Sequence, residues 1–404
     1  MQAPPPQIWS PSRAAALEAL EAFLPRVPRY AFERNFDRPG HAEVSRLSPF
    51  IRRRLVTEEE ICQRVLARFS FADSEKFLQE VCWRTYWKGY LAAQPALWSS
   101  FRESAARLEK EAAEAPWRAT YEAALAGATS LACFNDWVAE LQQTGYLHNH
   151  ARMWFASTWI FTMKLPWELG ALFMYRHLLD GDPASNTLSW RWVAGLHTRG
   201  KSYLARADNI SKYSDGRWTP KERELASEAP ALTESPTTPA SKNLQTGLPR
   251  APSTEGSILL IPADDLSLEL SLETFPGIKG VALLAPVLEM GESALVRTFA
   301  EQACSDALKR LQAASAVPLV TSISSRAALQ GLLTSSVATS VVAVTPGVGP
   351  DESWLGEIAT ACASAGVQAY GWHRPWDERL FPLARKGFFP FWQGTKSKAF
   401  GISE

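Results

Sequence analysis

The tryptophans of this chain are unevenly distributed, and their distribution separates its 404 residues into two parts of different character. Twelve of the 16 tryptophans precede residue 219, in a part whose apolar residues recur at helical spacing. Thr57 and Glu60 form a capping-box pattern ahead of Ile61, and Pro95 and Pro166 punctuate the helical runs. Large aromatic side chains fill the core of many helical domains, so tryptophan content alone indicates no function. Residues 1–218 therefore predict an all-helical domain.

The sequence changes after Trp218. From residue 219 to 256 it is rich in Pro, Ser, Thr and Ala and has no aromatic residue, which predicts a flexible linker. Residues 257–404 then alternate short apolar runs such as SILLIP, GVALLAP and SVVAVTP with helical stretches. This alternation is typical of βαβ units and predicts a Rossmann-like α/β domain with a parallel sheet. Because the dinucleotide and P-loop glycine motifs are absent, no ligand is predicted for it.

Composition favours a soluble globular protein and excludes several other classes. Hydrophobic residues make up 46% of the chain, and 42 basic residues are balanced by 42 acidic ones. A nucleic-acid surface must therefore be a local patch. Five cysteines without a CxxC pair suit reduced thiols, and the N-terminus lacks the apolar segment of a secretory signal. The apolar stretch 153–175 is broken by Lys164 and Pro166, so we expect a cytoplasmic protein with no membrane partner.

Four polar and aromatic residues share one face of a predicted helix that follows Asp73. Glu80, Trp83, Arg84 and Trp87 stand at i, i+3, i+4 and i+7. One interpretation is an exposed face with an internal ion pair between Glu80 and Arg84. The other is the wall of a polar pocket, and the spacing leaves both open.

A second helix begins in the segment TGYLHNHARMW. Its residues Asn149, Arg152 and Met153 lie at i, i+3 and i+4 and share a face. His148 and His150 are two residues apart and cannot both bind a metal from one helix, so we reject a zinc site.

The segment LLDGDPASNTLSWRW concentrates polar groups in a short loop and the helix after it. Asp180, Asp182 and Asn186 resemble part of a calcium loop, but the glycine and terminal glutamate of an EF-hand do not follow in register. No metal is therefore predicted. Upstream, a Ser-Arg-Leu-Ser turn opens another predicted helix and offers hydroxyls and free N–H groups to an anion such as a pyrophosphate. A serine at this place is more commonly only a helix cap.

Taken in order, SRLSP, ExxWR, HNHARM, LPWELG and DGDPASNTLSWRW resemble the FAD-binding helical domain of the DNA photolyase and cryptochrome family. The resemblance covers about residues 30–218 and implies a helical fold around noncovalently bound FAD. It implies the following cofactor-binding residues: Tyr30, Ser45, Arg46, Leu47, Ser48, Trp83, Arg84, Asn149, Arg152, Asp180, Asp182 and Asn186.

The same resemblance assigns two further groups of residues. A pocket for a pyrimidine dimer in damaged DNA is implied for Glu80, Trp83, Asn149, Met153 and Trp192. A relay that carries electrons from the surface to the excited flavin is implied for Trp190, Trp167 and Trp117. This chain departs from the family at His150, where dimer photolyases have arginine, and in a shorter region after Trp192.

The C-terminal part resembles the end of the family's antenna domain in the segment GVQAYGWHRPWDERLFPLARKGFFPFWQG. In the family that domain precedes the helical one, so the resemblance implies a transposed antenna domain, joined through a long linker. The sequence identifies no second chromophore.

Three functions follow from these motifs. The first is an enzyme, a deoxyribodipyrimidine photo-lyase that uses light and reduced FAD to split cyclobutane pyrimidine dimers. The second is a cryptochrome-like blue-light photoreceptor, in which tryptophan-mediated flavin photoreduction is read by a signalling protein partner. The third is a flavin-holding scaffold without photochemistry.

Overall fold

The computed structural model describes residues 9–234, 247–314, 317 and 319–402. Its first part is an assembly of helices, several of which begin at capping side chains. The cap predicted at Thr57 is confirmed, because its hydroxyl accepts a hydrogen bond from Glu60 N at 3.1 Å. Ser70 caps the long α5, which begins at Phe71, before the Asp73 of the sequence prediction. The helices are α1 (Arg13–Phe23), α2 (Tyr30–Glu33), α3 (Ser48–Arg52), α4 (Glu58–Leu66), α5 (Phe71–Ala93), α6 (Ala96–Glu111), α7 (Arg118–Ala126), α8 (Ala132–Thr144), α9 (Asn149–Ser157), α10 (Trp167–His177), α11 (Pro183–Val193) and α12 (Ala207–Tyr213).

A five-stranded parallel sheet forms the second part, and the prediction of a helical and an α/β architecture is confirmed. The strands lie in the order β3-β2-β1-β4-β5, with the central β1 buried between β2 and β4. Every residue of β1, β2 and β4 is buried, as expected for a parallel sheet covered on both faces. The elements are β1 (Ser257–Ile261), β2 (Gly280–Leu284), α13 (Ala294–Ala314), β3 (Leu319–Ile323), α14 (Arg326–Ser335), β4 (Ser340–Val344), α15 (Ser353–Ala365), β5 (Gln368–Trp372), α16 (Pro375–Leu380) and α17 (Phe388–Phe400).

Buried arginines after α3 join the helical part to the sheet part. Arg54 donates two hydrogen bonds to Asp377, at 2.7 and 2.8 Å, and one to Asp265 at 3.1 Å. Arg53 donates to the carbonyl of Ala263 and accepts from Leu266 N through its own carbonyl. Since these charges are buried, their pairing fixes how the two parts dock.

The last two helices pack on α5 of the helical part. Trp376 donates from its indole to Thr85 at 3.1 Å, and Trp392 donates to Glu75 at 3.2 Å. Phe391 is fully buried against Tyr86, with ring centroids 5.4 Å apart. The chain that follows the sheet thus completes the core of the helical part.

Part of the predicted linker lies against the helices. Leu225 is buried, Ala226 N donates to Thr162 Oγ1, and Leu232 N donates to the Ala194 carbonyl. Residues 219–234 are therefore mostly exposed but are attached to the helical part at these positions, and residues 235–246 of the predicted linker lie outside the described residues. Within the described ranges, no helix has both the length and the apolar character that crossing a membrane requires.

Candidate functional site

Two carboxylates stand at the sharp loop between α10 and α11. Gly181 separates Asp180 from Asp182, and a Cβ at that position would lie 2.7 Å from the Tyr175 carbonyl oxygen, so only glycine fits. Asp182 caps α11 by accepting a hydrogen bond from Ser185 N at 2.7 Å. Both carboxylates are buried, and the geometry explains the Asp-Gly-Asp order of the sequence.

Arginines from two other helices neutralise these carboxylates. Arg152 Nη1 of α9 lies 3.0 Å from Asp180 Oδ2, and Arg84 Nη1 of α5 lies 3.8 Å from Asp182 Oδ2. Burial alone raises the pKa of Asp180, but Arg152, Arg84 and the nearby Ser48 hydroxyl lower it below its usual range. Burial also opposes ionisation of Asp182, but Lys88, Arg84 and Arg52 lower its pKa to about 2. Both groups are charged at neutral pH.

Several buried polar atoms at this site have no well-formed hydrogen bond among the described residues. They are Arg84 Nη1, Asp180 Oδ1 and the Ser185 hydroxyl. An unsatisfied buried group destabilises a protein by about 1–3 kcal/mol, so such atoms indicate a missing partner. Donors and acceptors occur together here, which fits a ligand that is itself both a donor and an acceptor. Asn186 lies beside them and donates from Nδ2 to the Ala171 carbonyl at 2.8 Å.

The Ser-Arg-Leu-Ser turn adjoins the same carboxylates. Ser45, Arg46 and Ser48 are half-buried, Leu47 is buried, and Arg46 adopts a positive φ of 51°. Positive φ is strained for a residue with a side chain, so the turn is held in place by its surroundings. Ser48 is the first residue of α3, and its hydroxyl lowers the pKa of the Asp180 carboxyl through a hydrogen bond. The turn therefore adjoins the site.

On the flank of the site, Tyr30, Arg34 and Glu80 form a cluster. Glu80 lies 2.9 Å from both Arg34 Nη1 and Lys76 Nζ. Burial and the Glu80 charge raise the pKa of the Tyr30 phenol. Glu80 pairs with Arg34 of another segment and with Lys76 of its own helix, whereas Arg84 lies towards Asp182. The internal pair between Glu80 and Arg84 is therefore not formed.

Trp83 stacks on an aromatic ring from the far end of the chain. The ring of Phe388 in α17 lies parallel to the indole, with centroids 3.7 Å apart and planes 6° apart. Phe388 is 4% exposed, while its neighbour Phe389 is 73% exposed. One face of Trp83 is thus covered by the C-terminal helix.

The other residues of the predicted lesion pocket differ in their exposure. Asn149 is exposed, and Met153 and Trp192 are half-buried. Trp192 stacks on Tyr203, with centroids 5.9 Å apart. These three side chains are therefore accessible, in contrast to the covered face of Trp83.

The three predicted relay tryptophans have different surroundings. Trp190 is buried and its ring meets those of Phe155 and Trp159. Trp167 is buried against Phe101. Trp117 is half-buried beside Tyr121.

Several residues near the site were not identified from the sequence. Arg52 and Lys88 are buried, and their charges lower the pKa of Asp182. Both side chains line a small cavity together with Asp182. Asp264 and Gly347, from the loops after β1 and β4, line the same cavity. A run of three arginines at positions 52–54 next to apolar residues is the sequence signal that could have indicated buried ion pairing. Phe388 has no such signal, because it comes from 305 positions further along the chain than Trp83.

Comparison with known proteins identifies this type of site. Residues 77–235 match the family model described as the FAD binding domain of DNA photolyase. A deoxyribodipyrimidine photo-lyase of Streptomyces griseus is 30% identical over 216 residues, which cover 50% of this chain and 45% of the relative. The Vibrio cholerae protein of the same name is 28% identical over 244 residues, covering 55% of this chain and 50% of the relative. The chain thus spans about half the length of the curated relatives it matches.

Two solved structures are also similar. One is a bacterial class III photolyase from Agrobacterium tumefaciens, with 22% identity, a TM-score of 0.42, and coverage of 52% of this chain and 44% of that chain. The other is the Synechocystis sp. PCC6803 cryptochrome, with 22% identity, a TM-score of 0.40, and coverage of 50% and 43%.

The helical part of the chain therefore contains, at residues 77–235, a region of the type described as the FAD binding domain of DNA photolyase. FAD is the cofactor, and the site fits it. The unsatisfied atoms of Arg84, Asp180 and Ser185 match the polar edge of a flavin nucleotide in donor and acceptor character. The roles of the individual residues in cofactor binding, in the lesion pocket and in the relay stay predictions, and Tyr30 and residues 45–48 also lie outside the matched range.

Proposed function

We propose that this chain is a member of the photolyase/cryptochrome family that repairs cyclobutane pyrimidine dimers in DNA by light-driven electron transfer. Bound in its reduced form, FAD would supply the electron that opens the dimer. The observation that carries the proposal is the buried pair of ion pairs, Arg152 with Asp180 and Arg84 with Asp182, beside unsatisfied polar atoms. The names of the curated relatives support the repair reaction.

Different residues of the chain would contact the cofactor and the lesion. Asp180 and Asp182, held charged by their arginines, would accept hydrogen bonds from the isoalloxazine and ribityl groups. Asn186 would face the flavin ring and influence where it holds a proton. Glu80, fixed by Arg34, would accept a hydrogen bond from the extruded dimer, and Trp192 would pack against it.

Four exposed basic residues on two adjoining segments form a strip, called here the basic strip, that supports a nucleic-acid partner. Arg199 and Lys201 follow Trp192, and Arg385 and Lys386 precede α17; all four are exposed, and none is in an ion pair among the described residues. The two segments adjoin, because the Tyr86 hydroxyl lies 3.1 Å from His197 Nε2 and donates to the Lys386 carbonyl at 2.7 Å. Such a strip supplies the local charge that the balanced composition lacks, and its DNA affinity would fall as salt rises.

The test is a repair assay on an oligonucleotide with a single dimer, with illuminated and dark samples of the flavin-loaded protein. Glu80→Gln should slow repair about tenfold or more while the flavin spectrum stays unchanged, because losing a hydrogen bond to a charged group weakens binding by about 1.5–3 kcal/mol. Glu33→Gln, which alters a carboxylate paired with exposed Arg29, is the matched control. No light-dependent loss of dimers in the wild-type protein would contradict the proposal.

A cryptochrome-like photoreceptor is the second candidate, and the Phe388 stack on Trp83 favours it. A ring that covers one face of Trp83 suits a site that signals through α17 rather than one that admits a pyrimidine dimer against this indole. In this case Trp190, Trp167 and Trp117 would pass electrons to the flavin in light. A signalling partner would then recognise the protein by a change in the position of α17. Illumination should then increase hydrogen exchange in residues 388–400 without any dimer turnover. Unchanged exchange in light would exclude this candidate.

A further inference from the structure

The two places where this chain departs from the family motifs lie next to each other in the fold. One is His150 in α9, and the other is the segment after Trp192, which is shorter than in the family. Tyr203 belongs to this segment, and its ring stacks on Trp192 with centroids 5.9 Å and planes 28° apart. Its hydroxyl lies 3.5 Å from Nε2 of His150. Tyr203 therefore connects the two departures through direct contacts.

The segment between Trp192 and Tyr203 folds back on itself as a closed loop. Tyr203 N donates to the Val193 carbonyl at 3.0 Å, so the end of the loop is hydrogen-bonded to its start. The residues that follow are attached to the helical part, because Ala205 N donates to Ser157 Oγ at 2.8 Å. Trp192 is next to the last residue of α11, so no further helical turn confines its side chain. The fixed ring of Tyr203 therefore limits the orientations open to Trp192.

His150 offers a fixed acceptor to the Tyr203 hydroxyl. Its buried ring meets those of Trp154 and Tyr213, with centroids 4.4 and 5.0 Å away. Nδ1 lies 2.9 Å from the Asn35 carbonyl oxygen, which can only accept, so Nδ1 carries the ring proton. Burial lowers the pKa of His150, so the ring is neutral at neutral pH and Nε2 is free to accept.

The Tyr203 hydroxyl meets this acceptor as a donor. Burial raises the pKa of Tyr203 to about 12, so the hydroxyl keeps its proton at neutral pH. The Trp154 indole also reaches this hydroxyl, and it donates to Asn209 Oδ1 at 2.9 Å. Arginine, which dimer photolyases have at position 150, carries donors only and could not accept from the hydroxyl. The histidine at this position therefore suits the tyrosine of the shortened segment.

We infer that His150 and Tyr203 are positioning residues that hold the Trp192 indole in one orientation in the wall of the lesion pocket. The inference rests on the proposed function, in which Trp192 packs against the extruded dimer. Phe388 covers one face of Trp83, whereas Trp192 is half-buried and accessible. An indole that is already ordered loses less conformational entropy when the dimer binds, so its positioning increases the affinity for the lesion.

The experiment measures lesion binding and the position of Trp192 separately, on the flavin-loaded protein. Oligonucleotides with and without one dimer are titrated in the dark by fluorescence anisotropy. Fluorine NMR of protein labelled with fluorotryptophan follows Trp192, whose resonance is assigned by its absence from the Trp192→Phe variant. The other variants are Tyr203→Ala, Tyr203→Phe and His150→Phe, each made alone and together with Trp192→Ala. Tyr213→Phe is the matched control, because its ring also meets His150 and its hydroxyl has no hydrogen bond among the described residues.

The Tyr203→Ala variant should bind the dimer about 2- to 13-fold more weakly, the range that corresponds to the loss of one aromatic pair, with unchanged affinity for the undamaged oligonucleotide. Tyr203→Phe and His150→Phe keep both rings and remove the hydrogen bond, so their loss should be smaller. All three should shift the Trp192 resonance, and Tyr213→Phe should not. In the Trp192→Ala background they should cause no further loss of dimer affinity, because they act through Trp192.

An equal loss of dimer affinity with and without the Trp192 indole would overturn the inference, and so would a Trp192 resonance that Tyr203→Ala leaves unchanged. If Tyr203→Ala fails to fold, Tyr203→Phe, which removes only a hydroxyl from a half-buried ring, serves for both measurements. A wild-type protein that binds both oligonucleotides equally would contradict the proposed function. In that case the fluorine resonance still tests whether His150 and Tyr203 hold Trp192 in place.

Discussion

Replacing Phe388 by alanine should open the face of Trp83 that α17 now covers. If a pyrimidine dimer binds against this indole, it must first displace the Phe388 ring, which lies 3.7 Å away and parallel to it. An aromatic pair of this kind contributes about 0.5–1.5 kcal/mol beyond its buried area. Removing the competitor should therefore tighten binding of a dimer-containing oligonucleotide by about 2- to 13-fold.

The assay is fluorescence anisotropy of a labelled oligonucleotide in the dark, with and without one dimer. Phe389→Ala is the matched control, because this neighbouring ring is 73% exposed and takes no part in the stack. The Phe388→Ala variant should also lose about 3–5 kcal/mol of stability, since it leaves a cavity in the core. Urea denaturation followed by circular dichroism would verify that it remains folded.

Tighter binding of the dimer by the Phe388→Ala variant alone would support a gate at Trp83. Equal affinity of both variants and the wild-type protein for the dimer would refute competition between the ring and the lesion. In that case the role of Trp83 is to dock the C-terminal helix.

Three other perturbations have calculable results. Arg54→Met leaves the buried carboxylate of Asp377 without its cation and removes one of the two arginines that pair with Asp265, which keeps Arg374. The variant should be destabilised by about 3–5 kcal/mol, measured by urea denaturation; a loss below about 1 kcal/mol would contradict the docking described. Burial lowers the pKa of His41, but neighbouring carboxylates raise it overall to about 9, so its stabilising contribution is complete below pH 6.5 and lost as pH rises towards 9. Wild-type protein should lose up to about 3 kcal/mol across this range, and His41→Gln should show a smaller loss. Asp180→Asn removes the partner charge of Arg152 and should weaken FAD binding by one to two orders of magnitude in equilibrium dialysis; unaltered affinity would show that this carboxylate does not contact the cofactor.

The sequence predicted the features that depend on local patterns. Helix caps such as Thr57, the parallel strands, and the Asp-Gly-Asp loop each involve residues close together in the chain. Their backbone conformation and burial follow from short-range rules, so they could be predicted without the fold. The alternation of buried strands with helices was sufficient for the architecture of the second part.

The features that the sequence did not predict depend on how distant segments dock. The stack of Phe388 on Trp83 joins positions 305 residues apart, and no periodicity relates them. The contact of Trp159 with Trp190 depends on a glycine in a third helix, α10, at position 170. The polar composition of residues 219–234 indicated a linker, whereas Leu225 is buried against the helical part. In each case tertiary packing decides the outcome.

The most direct test of this account is the flavin content of the purified protein. We predict a yellow protein that carries about one FAD per chain, released intact on denaturation because no covalent bond holds it, with the characteristic flavin absorption. The Asp180→Asn variant should carry less. A folded wild-type protein that remains colourless after incubation with excess FAD and gel filtration would contradict the account.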